Sequence, residues 1–182
     1  MQNELFDLLV ALDGVRQSPV HHPEGDALYH SLQVFDLARR ETDDRALWAA
    51  ALLHDVGKSV GSEEHDASGA DMLEGLVAPR IVWLVRHHLD LLYAPAVTKR
   101  RLSGARAAPG CEVPYPGGQA LADLRRLRRW DVGGRSPRAL VLSPEQALSL
   151  LFERDTDSLA PGGAAAPLHD HDDEEESISR GS

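Results

Sequence analysis

Histidines and aspartates occupy the apolar faces of the helices this sequence predicts, so any fold it adopts has to bury them. Apolar residues recur at helical spacing over residues 3–13, 26–41, 43–55, 64–77, 79–92, 95–103, 119–131 and 144–152, and no convincing period-2 strand pattern appears. On a helix, positions three, four and seven apart share a face. His30 thus falls with Ala27, Val34 and Leu37, and His54 with Leu47, Ala50 and Ala51. Asp55 shares a face with Trp48, Ala51 and Leu52. His88 follows Ile81, Leu84 and Val85, and Asp131 follows Leu124 and Leu127. His87 follows Trp83 and precedes Leu91. The pattern predicts an all-α fold around one core, which 182 residues suffice to build.

A buried charge left without a partner costs about 3–5 kcal/mol. A single histidine on an apolar face is most often a hydrogen-bonded core residue. Several titratable groups on separate helices are satisfied together most simply by a cation where they converge. Imidazole and carboxylate donors without thiolate suit Mn, Fe, Co, Ni or Zn, with Mg a further candidate.

The stretch "ALLHDVGK", residues 51–58, sharpens this expectation. Neighbours on a helix point about 100° apart, so His54 and Asp55 cannot easily grip one ion from the same side. They can at a helix end, or with Asp55 bridging two ions while His54 binds one. Gly57 lets the chain pass close to such a site. Lys58 supplies a cation for a phosphate and is expected to face substrate rather than the ions, which would repel it.

Charge divides the chain into a body, 1–153, and a tail, 154–182. Residues 153–182 hold nine acidic and two basic residues and lack apolar periodicity, so a disordered acidic tail is expected. Within the body, 99–138 holds ten basic and three acidic residues, a segment suited to an anionic ligand. "SGARAAPGCEVPYPGG", 103–118, reads as a long loop, the expected seat of specificity. The single cysteine, Cys111, excludes an internal disulfide and a Cys-based zinc site. No run of about 18 apolar residues appears and the N-terminus lacks a basic region, so neither a membrane span nor a signal peptide is expected. A cytoplasmic protein is the default. Nothing in the sequence supports a nucleic-acid partner or fixes an oligomeric state.

The segments "HPEGDALYHSLQVFDLA", "ALLHDVGK", "EEHDASGADML", "VRHHLD" and "LRRLRRWDVGGR" resemble the HD-domain superfamily of metal-dependent phosphohydrolases. The resemblance covers about residues 20–152, and "HPEGD" with "HDVGK" is similar to the HD domain attached to some bacterial tRNA nucleotidyltransferases. The chain is too short for the nucleotidyltransferase part, so a free-standing HD protein is expected. The resemblance implies an all-α helical bundle with its metal site in the helix core. It makes His30, His54, Asp55 and Asp131 the ligands of one ion. His65 and His88 match the further pair that marks dinuclear members, with His87 as the alternative to His88. His21 and His22 precede the motif and are expected at the surface. His169 and His171 lie in the tail and offer only adventitious binding.

The leading functional expectation is hydrolysis of a small phosphate ester or nucleotide by a metal-activated water, with two ions per chain. Asp55 would bridge the ions, and Lys58, with Arg129 or another basic residue of 99–138, would neutralise the phosphate. One alternative is a di-iron HD-domain oxygenase that cleaves a carbon bond with O2. The six-ligand set permits it and "LRRWD" has some likeness to it, but "ALYHS" lacks the glutamine associated with that branch. Another is a non-catalytic nucleotide-binding HD protein, against which retention of every ligand position argues. The glycine-rich signature of the cyclic-dinucleotide phosphodiesterase branch does not follow "RHHLD".

Overall fold

The most apolar stretch of the chain forms the middle of the fold. In α3 (Arg45–Leu53) every residue from Ala46 to Leu53 is buried. A helix that is apolar all round has to be enclosed, and α2 (Ala27–Glu41), α5 (Pro79–His87), α8 (Gly117–Gly133) and α9 (Pro144–Phe152) pack around it. On the periphery, α1 (Gln2–Val10) packs on α9, α4 (His65–Leu73) on α5, and α7 (Pro95–Ser103) on α8 and the short α6 (Asp90–Tyr93). The computed structural model describes residues 1–103, 113–153 and 159–161. Among these there is no strand, only an isolated bridge between Arg16 and Asp26, so the fold is all-α as expected. No helix among them is long and apolar enough to cross a membrane.

Side-chain caps fix where the central helices begin. Asp26 accepts from the Tyr29 N–H at 2.8 Å and from the Gly14 N–H at 2.8 Å, which starts α2 and closes the loop before it. Asp44 accepts from the Ala46 and Leu47 N–H groups at the start of α3. Ser143 and Gln146 form a capping box on α9. Each such cap contributes about 1 kcal/mol.

The helices also stop earlier than periodicity suggests. After Leu53 the chain leaves α3 through His54 and Asp55 and enters a 3-10 turn, Val56–Ser59. The expected helix over 79–92 is two helices, α5 and α6, broken at His88 and Leu89. The expected helix over 64–77 ends at Leu73, shortly before Gly75 at φ +73°. Two of these breaks place titratable side chains at helix ends.

Gly57 is required by a close approach. A Cβ there would lie 2.1 Å from the His65 carbonyl oxygen and 2.6 Å from the Gly69 nitrogen, both backbone atoms of α4. At Gly69 a Cβ would lie 3.0 Å from the Gly57 nitrogen, a milder conflict. Gly57→Ala is therefore expected to cost about 1–3 kcal/mol by overpacking. The thermal midpoint should fall by several degrees, and less for Gly69→Ala. Equal midpoints for wild type and Gly57→Ala would show that α4 shifts freely.

Part of the segment expected to be a free tail belongs to the core. Leu159 is buried, and its carbonyl accepts the Ala78 N–H at 2.8 Å. The core therefore extends past residue 153. The rest of that tail, with His169 and His171, and residues 104–112 of the long loop, with Cys111, lie outside the described residues.

Candidate metal centre

The helix ends converge on one point. His30 sits in the first turn of α2, His54 caps the C-terminus of α3, and Asp55 follows it. His65 opens α4, His88 caps α5, and Asp131 lies in the last turn of α8. All six side chains are buried.

Each of the four imidazoles is anchored through Nδ1 to a backbone carbonyl. His30 donates to Gly134 at 2.9 Å, His54 to Ala51 at 3.0 Å, His65 to Ser62 at 3.0 Å and His88 to Val85 at 2.7 Å. A carbonyl can only accept, so Nδ1 carries the proton and Nε2 of the neutral ring presents a lone pair. None of the four buried Nε2 atoms has a hydrogen-bond partner. They surround the two oxygens of one carboxylate. Asp55 Oδ2 lies 3.5 Å from His54 Nε2 and 4.0 Å from His30 Nε2. Its Oδ1 lies 3.2 Å from His65 Nε2 and 3.8 Å from His88 Nε2. Asp131 Oδ1 approaches His30 Nε2 at 3.3 Å.

The donors therefore divide into two sets that share Asp55, one with His30 and His54 and one with His65 and His88. Donors bound to one ion at about 2.0–2.2 Å sit roughly 3–3.5 Å apart, and the spacings here fit that separation with small adjustment. Orphaned imidazole nitrogens facing carboxylate oxygens are the donor chemistry a divalent transition metal takes.

Protonation is already biased toward this use. Burial pushes His54 down to about 3 and lowers His88, against the pull of Asp55 in both cases, so these rings are neutral. Burial opposes charge on His30 too, but Asp131 and Glu24 raise it to about 9. Burial likewise works against His65, which Asp55 raises. Burial also works against ionisation of the two carboxyls. His54 and Lys58 nevertheless hold Asp55 well below the usual range, and His30, His54 and Arg135 do so for Asp131. The same carboxylates that favour a proton on His30 and His65 would favour a divalent ion in its place.

A cleft of about 390 Å³ opens above this cluster, with Lys58, Arg128 and Arg135 in its wall. Lys58 Nζ donates to Asp55 Oδ2 at 2.6 Å and to Gln17 Oε1 at 2.6 Å. It therefore touches the donor set itself, rather than facing away from it as expected. Arg128 donates to Asp131 Oδ2 at 2.6 Å, and Arg135 to Asp131 Oδ1 at 2.9 Å.

Three sequence expectations need correction. Arg129 does not line the cleft: it pairs with Glu41 on the exposed side of α8. One residue along a helix is a turn of about 100°, and Arg128 takes the position expected of Arg129. His87 points away from the cluster, stacks on Trp83 with ring centroids 4.6 Å apart, and bonds Asp90. His88 takes the inward position. His22, expected at the surface, lines the cleft, lies edge-on to His30 at 4.9 Å and bonds Glu24 at 2.8 Å. Neither His22 nor Glu24 lies on a helix, so no periodicity marks them.

A model of the HD domain family matches residues 27–132, which contain all six clustered residues. Among curated proteins, the multifunctional CCA protein of Halorhodospira halophila is 43% identical over 81 residues, covering 38% of this chain and 20% of that protein. That of Hahella chejuensis is 38% identical over 80 residues, covering 40% and 19%. That of Methylococcus capsulatus is 47% identical over 60 residues, covering 33% and 14%. The matched region spans a fifth or less of these relatives' length.

Proposed function

The chain belongs to the HD domain family, and from that premise we propose that it is a metal-dependent phosphohydrolase acting on a small phosphate ester or nucleotide. One observation carries the reading. Four unpartnered imidazole nitrogens surround both oxygens of Asp55 at the base of a cleft walled by Lys58, Arg128 and Arg135. His30, His54 and Asp131 would hold one divalent ion, His65 and His88 a second, and Asp55 both. Ions held there would supply Lewis acidity toward phosphoryl oxygens and a water acidified to near neutral pH.

The chain's own residues do the rest. Lys58 has three donors and spends two on Asp55 and Gln17. The third is free for a phosphate oxygen. Arg128 and Arg135 spend donors on Asp131 and keep others for the same anion. The buried helices around the cluster exclude bulk water from all but the cleft side, which strengthens these contacts. The cationic wall favours a phosphate over the oxygenation of a carbon bond that the same donor set would suit.

The test is a panel of phosphomonoesters, phosphodiesters and nucleotides, assayed on chelator-treated protein reloaded with Mn, Fe, Co, Ni or Zn. Turnover that depends on added metal supports the reading. No phosphate release from any metal-loaded form, with O2 consumed by the iron form, would replace it with an oxygenase.

Lys58→Ala is expected to lower kcat/KM by roughly 10- to 1000-fold, the scale of a lost charge-assisted contact in a catalytic site. Metal content should hold, because the substitution removes a cation from beside Asp55. Elemental analysis beside steady-state kinetics checks both halves. Metal lost along with activity would give Lys58 a structural role instead.

A further inference from the structure

Glu24 is a carboxylate that the proposed reaction does not use, yet its side chain is wholly buried. It lies in the loop between α1 and α2, where a polar side chain has an easy route to solvent. Burying it costs several kcal/mol unless something compensates. Its Oε1 accepts from His22 Nδ1 at 2.8 Å and lies 3.0 Å from His30 Nδ1. Its Oε2 is buried without a partner. The loop is built to hold it there. Gln17 N–H donates to the Gly25 carbonyl at 3.0 Å, and Gly25 N–H to the His22 carbonyl at 2.9 Å. Gly25, at φ +79°, turns the chain immediately after Glu24.

The His30 Nδ1–H already has an acceptor in the Gly134 carbonyl at 2.9 Å. Glu24 is therefore not needed to satisfy that proton. What it adds is a negative charge behind the ring, on the side opposite Nε2. A carboxylate behind a ligating imidazole fixes the ring and makes its far nitrogen a stronger donor. We infer that Glu24 is a positioning residue for His30, strengthening Nε2 as a donor to a divalent ion held with His54, Asp55 and Asp131. The same oxygen pins His22 against the cleft wall, so one buried charge organises two imidazoles. The inference rests on the reading of His30 as a metal donor.

The test is calorimetric titration of the full-length, chelator-treated chain with Zn2+ alone and with Mn2+ alone. Glu24→Gln keeps the size of the side chain and removes its charge. It should weaken one binding event by about 10- to 100-fold, the scale found for such partners, with the saturating stoichiometry unchanged. Glu24→Asp keeps the charge a methylene further back and should fall between the two, which gives a second reading if the glutamine variant folds poorly. In a His30→Ala background, Glu24→Gln should have no further effect. Equal affinities for wild type and Glu24→Gln would overturn the inference. So would an undiminished effect in the His30→Ala background, which would mean a general loosening of the loop. Wild type that takes up no ion would overturn the metal reading and this inference with it. In contrast, metal uptake with an unchanged Glu24→Gln variant would overturn this inference alone.

Discussion

Asp55→Asn is expected to empty both proposed subsites together and to lower kcat/KM by at least about 1000-fold, the upper end for a removed transition-state contact. The substitution keeps the shape of the side chain. It converts one of two acceptors, each facing a pair of Nε2 atoms, into an NH2 group. That group can donate to an imidazole lone pair but cannot bind a cation. The remaining amide oxygen is neutral and a weak ligand. The charge is lost as well. Lys58 Nζ, 2.6 Å from Oδ2, would be left beside an amide, and the carboxylate charge that favours protonation of His30 and His65 would be gone. Removing one partner from a buried pair costs about 3–5 kcal/mol, so the thermal midpoint should fall too. Elemental analysis, kinetics and a melting curve on the same preparation separate the effects. A variant that keeps two equivalents of metal would remove Asp55 from the shared position.

The residues that were legible in the sequence are those whose burial contradicts their polarity. His30, His54, Asp55, His88 and Asp131 each interrupt an apolar stripe, and a stripe is a statement about which side of a helix faces the core. His65 carries no such stripe and came from the resemblance alone. Its position is set by the contact between Gly57 and the start of α4, a backbone approach that no side-chain pattern encodes. His22 and Glu24 were missed for the same reason, since a loop held by Asp26 and Gly25 has no period to read. The sequence does not separate Arg128 from Arg129, because a run of arginines on α8 looks alike from either side and only the partners Asp131 and Glu41 set the phase. Helix ends were overrun wherever apolar residues continue past a stop. At Leu91 and Leu92 the text stays apolar through the break at His88 and Leu89. Leu159 is a lone apolar residue in a polar stretch and gives no sign that it docks.

Two ions per chain is the count we propose, from the way the two donor sets are built. His30, His54, Asp55 and Asp131 suffice for one ion, which would leave the buried, unpartnered Nε2 atoms of His65 and His88 with no purpose. A second ion between those atoms and Asp55 Oδ1 explains both, and two ions close together can stabilise attacking and leaving oxygens at once. The subsites are not equal. The first draws on α2, α3 and α8, which pack directly on one another. The second depends on α4, whose entry passes through Glu64 at φ +50°. A non-glycine residue in that left-handed region costs about 1–3 kcal/mol. Wild type should therefore bind two equivalents, with the second weaker and the first to leave under a chelator. His65→Ala and His88→Ala should each fall toward one equivalent while His30, His54 and Asp131 keep theirs. Elemental analysis after stepwise dialysis against chelator reads both the count and the order. One equivalent in wild type and in both variants would sink the second subsite, and with it a dinuclear mechanism and most of the case for a di-iron oxygenase.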